Sequence, residues 1–249
     1  MFPQFTVGEW LLAVLAALCI GVAKSGFTGV GLVTVVIMAR LFPPRESTGI
    51  LLPLLIVGDI FAVVAFQKHA DWKQIWKMLP PTFAGVVIGY FLMGWIPGRH
   101  FGPVIGWVVL VMVVLQILRR LRPDAYAHVP HSRGFAWGIG AWCGITTMLA
   151  NAAGPVMALY FLAIDLPKYN LVGTSAWFFL LVNVSKVPFS AHLGLIDSHT
   201  LLFNLALVPA VGAGIFLGRW LIAFVPQKLF EILLLGFAAL AAMRLLGVF

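Results

Sequence analysis

The run Gly21-Val22-Ala23-Lys24-Ser25-Gly26-Phe27-Thr28-Gly29-Val30-Gly31 interrupts an apolar segment that reaches from Phe5 to Leu41. The flanks, Trp10 to Ile20 and Leu32 to Met38, read as helix inside lipid. Between them stand four glycines, two hydroxyls and a lysine. A glycine inside a helix costs about 1 kcal/mol relative to alanine, so this density predicts a break. A lysine at the bilayer centre costs about 3 kcal/mol on insertion scales. Irregular backbone at that depth is tolerated only where protein or a water-filled cavity covers it. The run therefore predicts a broken helix over 21–31 whose amides, hydroxyls and ammonium face a polar cavity suited to an anion. The competing reading is close helix packing through small residues, with Lys24 snorkelling to an interface.

The rest of the chain has the same character. Its 249 residues are 62% hydrophobic and only 10% charged, outside the range of soluble domains. The expected fold is an all-α polytopic membrane protein. No Lys or Arg precedes Lys24, which argues against a cleaved signal peptide. The net charge of +8 has no soluble basic domain to carry it, so a nucleic-acid partner is not expected. Instead Lys68, Lys73 and Lys77 crowd one loop, and Arg119, Arg120, Arg122 and Arg133 another, which puts both in the cytoplasm.

Apolar runs fall near 5–41 (broken), 47–66, 78–96 and 101–118, then 135–164 (broken), 171–190, 201–223 and 229–247. The polar stretch 119–134 divides a first unit, 1–118, from a second, 135–249. The units resemble each other. At a shift of 124, Cys19 meets Cys143, Pro43 meets Pro167, Gly49 meets Gly173 and Asp59 meets Asn183. At a shift of 129, Pro80 meets Pro209, Gly85 meets Gly214, Gly89 meets Gly218, Pro97 meets Pro226 and Phe101 meets Phe230. Repeats related by pseudo-symmetry characterise secondary transporters, whose sites lie at the repeat interface. If each broken segment crosses once, the chain has about eight spans in parallel halves. If each crosses twice, it has ten in inverted halves.

The second predicted break, 144–155, occupies the place of the first and ends in Gly154-Pro155. Proline inside a helix removes a donor and clashes with the preceding turn. Thr146, Thr147 and Asn151 supply polar atoms there. Downstream, Asn183 and Lys186 stand three apart on one helical face with Phe179 and Ser190. For Lys186 a pathway role and snorkelling are both open. Asp59 lies mid-span with no adjacent charge. It is a candidate for proton coupling, or for a partner of Lys24 that releases it when substrate binds, against a plain structural hydrogen bond.

The sequence resembles the sulfite exporter TauE/SafE family. The resemblance rests on Lys24 to Gly31, Pro43-Pro44, Ala153-Gly154-Pro155 and Tyr160-Phe161-Leu162, with Gly173-Thr174, Asn183 with Lys186, and Gly194-Leu195-Ile196. It departs in one place: Val35-Val36-Ile37 stands where a proline often follows the first glycine-rich stretch. The resemblance implies a duplicated permease for sulfite, sulfoacetate or a related organosulfonate, acting as an exporter. It adds Gly154 and Thr174 to a binding set of Lys24, Ser25, Gly26, Thr28, Gly29, Asn151, Asn183 and Lys186, with Asp59 as the coupling group.

Other functions find less support. A membrane-embedded enzyme needs clustered titratable groups at one depth, and the chain has too few, so none is expected. The histidines lie in or near loops without the i, i+4 spacing of a helical zinc pair, and no metal or cofactor is expected. Cys19 and Cys143 read as buried small hydrophobes. No Gly-x-x-x-x-Gly-Lys run is present for nucleotide phosphates. An anion channel, or an assembly or sensor subunit docking through 119–134, remains as an alternative. A homo-oligomer is left open.

Overall fold

The computed structural model describes residues 5–27, 29–121, 133–164, 166–224 and 227–248. Thr28 and most of the expected polar loop, 122–132, thus lie outside the described residues. Every regular element among the described residues is helical.

The first is α1, Val7–Lys24. Its start is fixed by a capping box, in which Thr6 Oγ1 accepts from Glu9 N and Glu9 Oε2 accepts from Thr6 N. It ends at Gly26, whose φ of 114° favours glycine. The next helix, α2 (Val30–Leu41), turns back along α1 rather than continuing it. Thr34 donates its hydroxyl to Ala16 O at 3.2 Å, and the ring of Phe42 lies 5.3 Å from that of Phe5. The segment 5–41 is therefore a hairpin with both ends on one face. With 12 residues, α2 reaches only about 18 Å, well short of a bilayer core.

The second hairpin is built alike, from α6 (Arg133–Ala150) and α7 (Gly154–Ala163). Its joint is Asn151, at φ 52°, followed by Ala152 and Ala153. Pro155 sits at the first turn of α7, where its missing N–H has no intrahelical partner to lose.

Between the two hairpins run α3 (Pro44–Phe66), α4 (Trp72–Trp95) and α5 (Phe101–Leu121). After the second come α8 (Lys168–His192), α9 (Ser198–Phe224) and α10 (Gln227–Leu245). The central pair, α3 and α8, is antiparallel. Gly49 near the start of α3 packs on Leu195, just past α8, and Gly173 near the start of α8 packs on Phe66 O. At the edge, Gly102 and Gly106 of α5 lie against Leu245 O and Ala242 O of α10.

Both breaks are narrower than the sequence predicts. Gly21 and Gly144 stay helical because another helix needs their missing side chains. A Cβ on Gly21 would stand 2.2 Å from Val211 O on α9, and one on Gly144 would stand 2.0 Å from Thr82 O on α4. Close approach through small residues is the usual means of helix association in lipid. It holds α1 to α9 and α6 to α4, and among the described residues of the two runs the irregular backbone shrinks to 25–27, 29 and 151–153.

Large apolar side chains cover the outside, among them Phe216, Leu205 and Trp76. Such a continuous apolar exterior suits lipid. Among the described residues six helices are long and apolar enough to cross a membrane: Val7–Lys24, Pro44–Phe66, Trp72–Trp95, Gly98–Leu118, Asn170–His192 and Ser198–Trp220. The chain is a multi-pass membrane protein. The expected span at 135–164 is not in that set, because polar and glycine residues dilute α6.

Candidate functional site

The two hairpin tips meet beside α3 and α8 around a cavity of about 110 Å³. Its polar wall comes from Lys24, Asp59, Thr147, Asn151, Ser175 and Asn183, with Gly26, Gly31 and Gly154 supplying backbone. Ile20, Leu51, Leu55 and Phe179 make much of the rest.

Lys24, the last residue of α1, reaches across to α3. Its Nζ lies 2.5 Å from Asp59 Oδ1, and 5.1 Å from the centre of the Phe179 ring. The carboxylate is fully buried and the lysine side chain 15% exposed, so the pair faces the cavity through the cation. The second oxygen of Asp59 accepts from Asn183 Nδ2 at 2.7 Å. The polar string then continues into the second hairpin. Lys186 Nζ donates to Asn183 Oδ1 at 3.2 Å, to Asn151 Oδ1 at 2.6 Å and to Thr147 Oγ1 at 3.1 Å. Asn151 Nδ2 in turn donates to Thr48 O on α3 at 2.8 Å. Elements of both halves thus share one hydrogen-bonded network. Buried polar groups in lipid need such partners.

Lys186 does not snorkel: it is 2% exposed and held from three sides. It stands behind Asn151 and Asn183 rather than on the cavity wall itself.

The anticipated residues divide into three groups. Lys24, Gly26, Asn151, Gly154, Asn183 and Asp59 line the cavity. Ser25, Gly29 and Thr174 do not. Ser25 Oγ donates to Gly21 O and Ile215 O, locking the tip of α1 to α9. Gly29 caps α2 and faces Leu235. Thr174 Oγ1 accepts from Asp71 N at 2.9 Å, tying α8 to the start of α4. Lys186 joins the site through its neighbours, and Thr28 lies outside the described residues. Sequence reasoning missed Ser175 and the Thr48 carbonyl. Ser175 could have been found one position beyond Thr174 had the face of α8 been known.

The first turn of α7 begins at Gly154 on the cavity wall, and Pro155 beside it supplies no N–H. Helix N-termini carry partial positive charge, and with Lys24 they make the cavity receptive to an anion.

A family model described as Sulfite exporter TauE/SafE matches residues 13–245. No curated protein and no solved structure matches the chain.

Proposed function

The chain belongs to the sulfite exporter TauE/SafE family, and from that premise we propose that it exports a small sulfur-containing anion, sulfite, sulfoacetate or a related organosulfonate, across the inner membrane. The observation that carries this reading is the Lys24–Asp59 pair on the wall of a cavity between two hairpin tips. An arriving anion competes with Asp59 for Lys24, and Asp59, relieved of its partner, becomes the group able to take a proton. Coupling follows from that exchange. Gly26, Gly154 and the first turn of α7 line the anion's seat, while Asn151 and Asn183 hold Lys186 behind it.

The units 1–118 and 135–249 are read as inverted repeats. Support comes from the direction of the chain: the first hairpin opens at Phe5 and Phe42 and three long helices follow it, an odd number of crossings. The second hairpin then opens on the opposite face, where Tyr160 Oη meets Gln74 Oε1 at 3.1 Å, near the start of α4. That second face bears Lys68, Lys73, Lys77 and Arg133, and is assigned to the cytoplasm. Inverted repeats around a midplane site are the architecture of alternating access.

Flux of sulfite and of a small organosulfonate into proteoliposomes, with and without an imposed pH gradient, tests the reading. Saturable flux that follows the gradient is expected. Absence of flux of either anion from folded protein would overturn it.

A further inference from the structure

Among the described residues no carboxylate bonds to the buried Lys186. Its three N–H donors meet three oxygens, and two of those cannot be anything but acceptors. Asn151 has its NH₂ committed to Thr48 O, and Asn183 has its NH₂ committed to Asp59 Oδ2. Each amide is thereby fixed with its carbonyl oxygen toward Lys186. Both forms of the amine donate to the two amide oxygens; an ammonium also donates to Thr147 Oγ1, whereas a neutral amine accepts from it. None of the three oxygens carries a charge.

The charged groups near enough to bear on Lys186 are Asp59 and Lys24, and those two are already paired with each other. With Lys186 in its ammonium form the formal balance around the cavity is two ammonium groups against one carboxylate. A buried charge without a counter-ion is costly, and the cost is relieved when a ligand brings one negative charge into the cavity.

We infer that the site selects anions of a single negative charge, because the caged Lys186 gives the cavity one cation in excess. The inference rests on the anion-transport reading above and narrows it to hydrogen sulfite and singly charged organosulfonates, setting aside sulfoacetate, which carries two charges. A singly charged ligand neutralises the site as long as Asp59 keeps its charge. A doubly charged one leaves an excess of the opposite sign and must shed a larger hydration shell. For sulfite, the bound species is hydrogen sulfite. Organosulfonates with one charged group and a short apolar tail suit the walls of Ile20, Leu51 and Leu55.

The test uses three tetrahedral sulfur compounds of nearly equal size: neutral dimethyl sulfone, singly charged methanesulfonate and doubly charged sulfate. Their binding to the purified full chain is measured by titration calorimetry. Methanesulfonate is expected to bind tightest, with sulfate weaker on the order of a hundredfold, the scale of one uncompensated charge at short range in a protein interior. Dimethyl sulfone is expected not to bind measurably. Sulfate binding as tightly as methanesulfonate would overturn the inference and leave anion transport standing. Failure of all three to bind folded protein would overturn both.

Two charge changes sharpen the test. Asp59→Asn raises the excess and should shift preference toward sulfate. Lys186→Met removes it and should weaken methanesulfonate at least about tenfold, while Lys186→Arg keeps the binding order. An unchanged order in folded Asp59→Asn and Lys186→Met would overturn the inference, and if neither folds the wild-type series alone decides it.

Discussion

The two hairpins reach the same cavity from opposite faces, yet they handle charge differently. The first carries its cation at the tip, where Lys24 meets a carboxylate on the neighbouring long helix, α3. In the second the arrangement is exchanged: the tip offers the neutral oxygens of Thr147 and Asn151, and the lysine stands on the long helix, α8. Asp59 and Asn183, matched at a shift of 124, touch each other at the junction. One half thus holds an ion pair on the cavity wall. The other holds a buried lysine whose hydrogen-bond partners among the described residues are all neutral oxygens. Two similar halves can share a scaffold and still divide binding from charge balance.

The comparison is broken most severely by Asp59→Ala. Removing one partner of a buried pair leaves the other uncompensated, which costs about 3–5 kcal/mol. A large fall in the thermal midpoint of the purified protein is expected, and an unchanged midpoint would mean that Lys24 has another partner. Asn151→Ala should cost less, about 2–3 kcal/mol. It removes one acceptor from a charged donor and puts alanine at φ 52°, which disfavours any side chain that cannot bond locally.

Asn151→Asp sharpens the comparison by giving Lys186 a carboxylate of its own, so that the second half resembles the first. The new pair is opposed by repulsion from Thr48 O, so the thermal midpoint should move little. Anion flux should nevertheless fall at least about tenfold, because the excess cation is gone. Flux equal to wild type would show that Lys186 has no electrostatic part in binding. The smallest effect belongs to Ser25→Ala, expected to cost about 1 kcal/mol for hydroxyl bonds that hold α1 to α9. Flux per folded molecule should stay within about twofold, since Ser25 is directed away from the cavity.

The sequence declares the membrane class through hydropathy, which needs no partner to be read. It also declares that the two glycine-rich stretches are special. It does not say which glycines break a helix and which admit a neighbour, because that depends on what approaches from elsewhere in the chain. Gly26, at φ 114°, breaks one, whereas Gly21 and Gly144 receive α9 and α4. Hydropathy also carries no direction. The return of α2 along α1 becomes visible only through contacts such as Thr34 with Ala16.

At the site, a lysine and an aspartate in apolar surroundings must find partners, so the Lys24–Asp59 pairing is legible as a consequence of cost. The cage around Lys186 is not, since its oxygens come from residues 35 and 39 positions away as well as from its own helix. Ser25 and Thr174 share the composition of binding residues, but the spacing along a helix does not reveal which neighbour a hydroxyl will meet.

The account stands most directly on Lys24. Anion flux into proteoliposomes should be compared between wild type and Lys24→Ala, each shown to be folded by its elution profile and thermal midpoint. Saturable flux in the wild type and its loss in Lys24→Ala is the expected result. Undiminished flux in folded Lys24→Ala would contradict the assignment of the hairpin-tip cavity as the path of the anion.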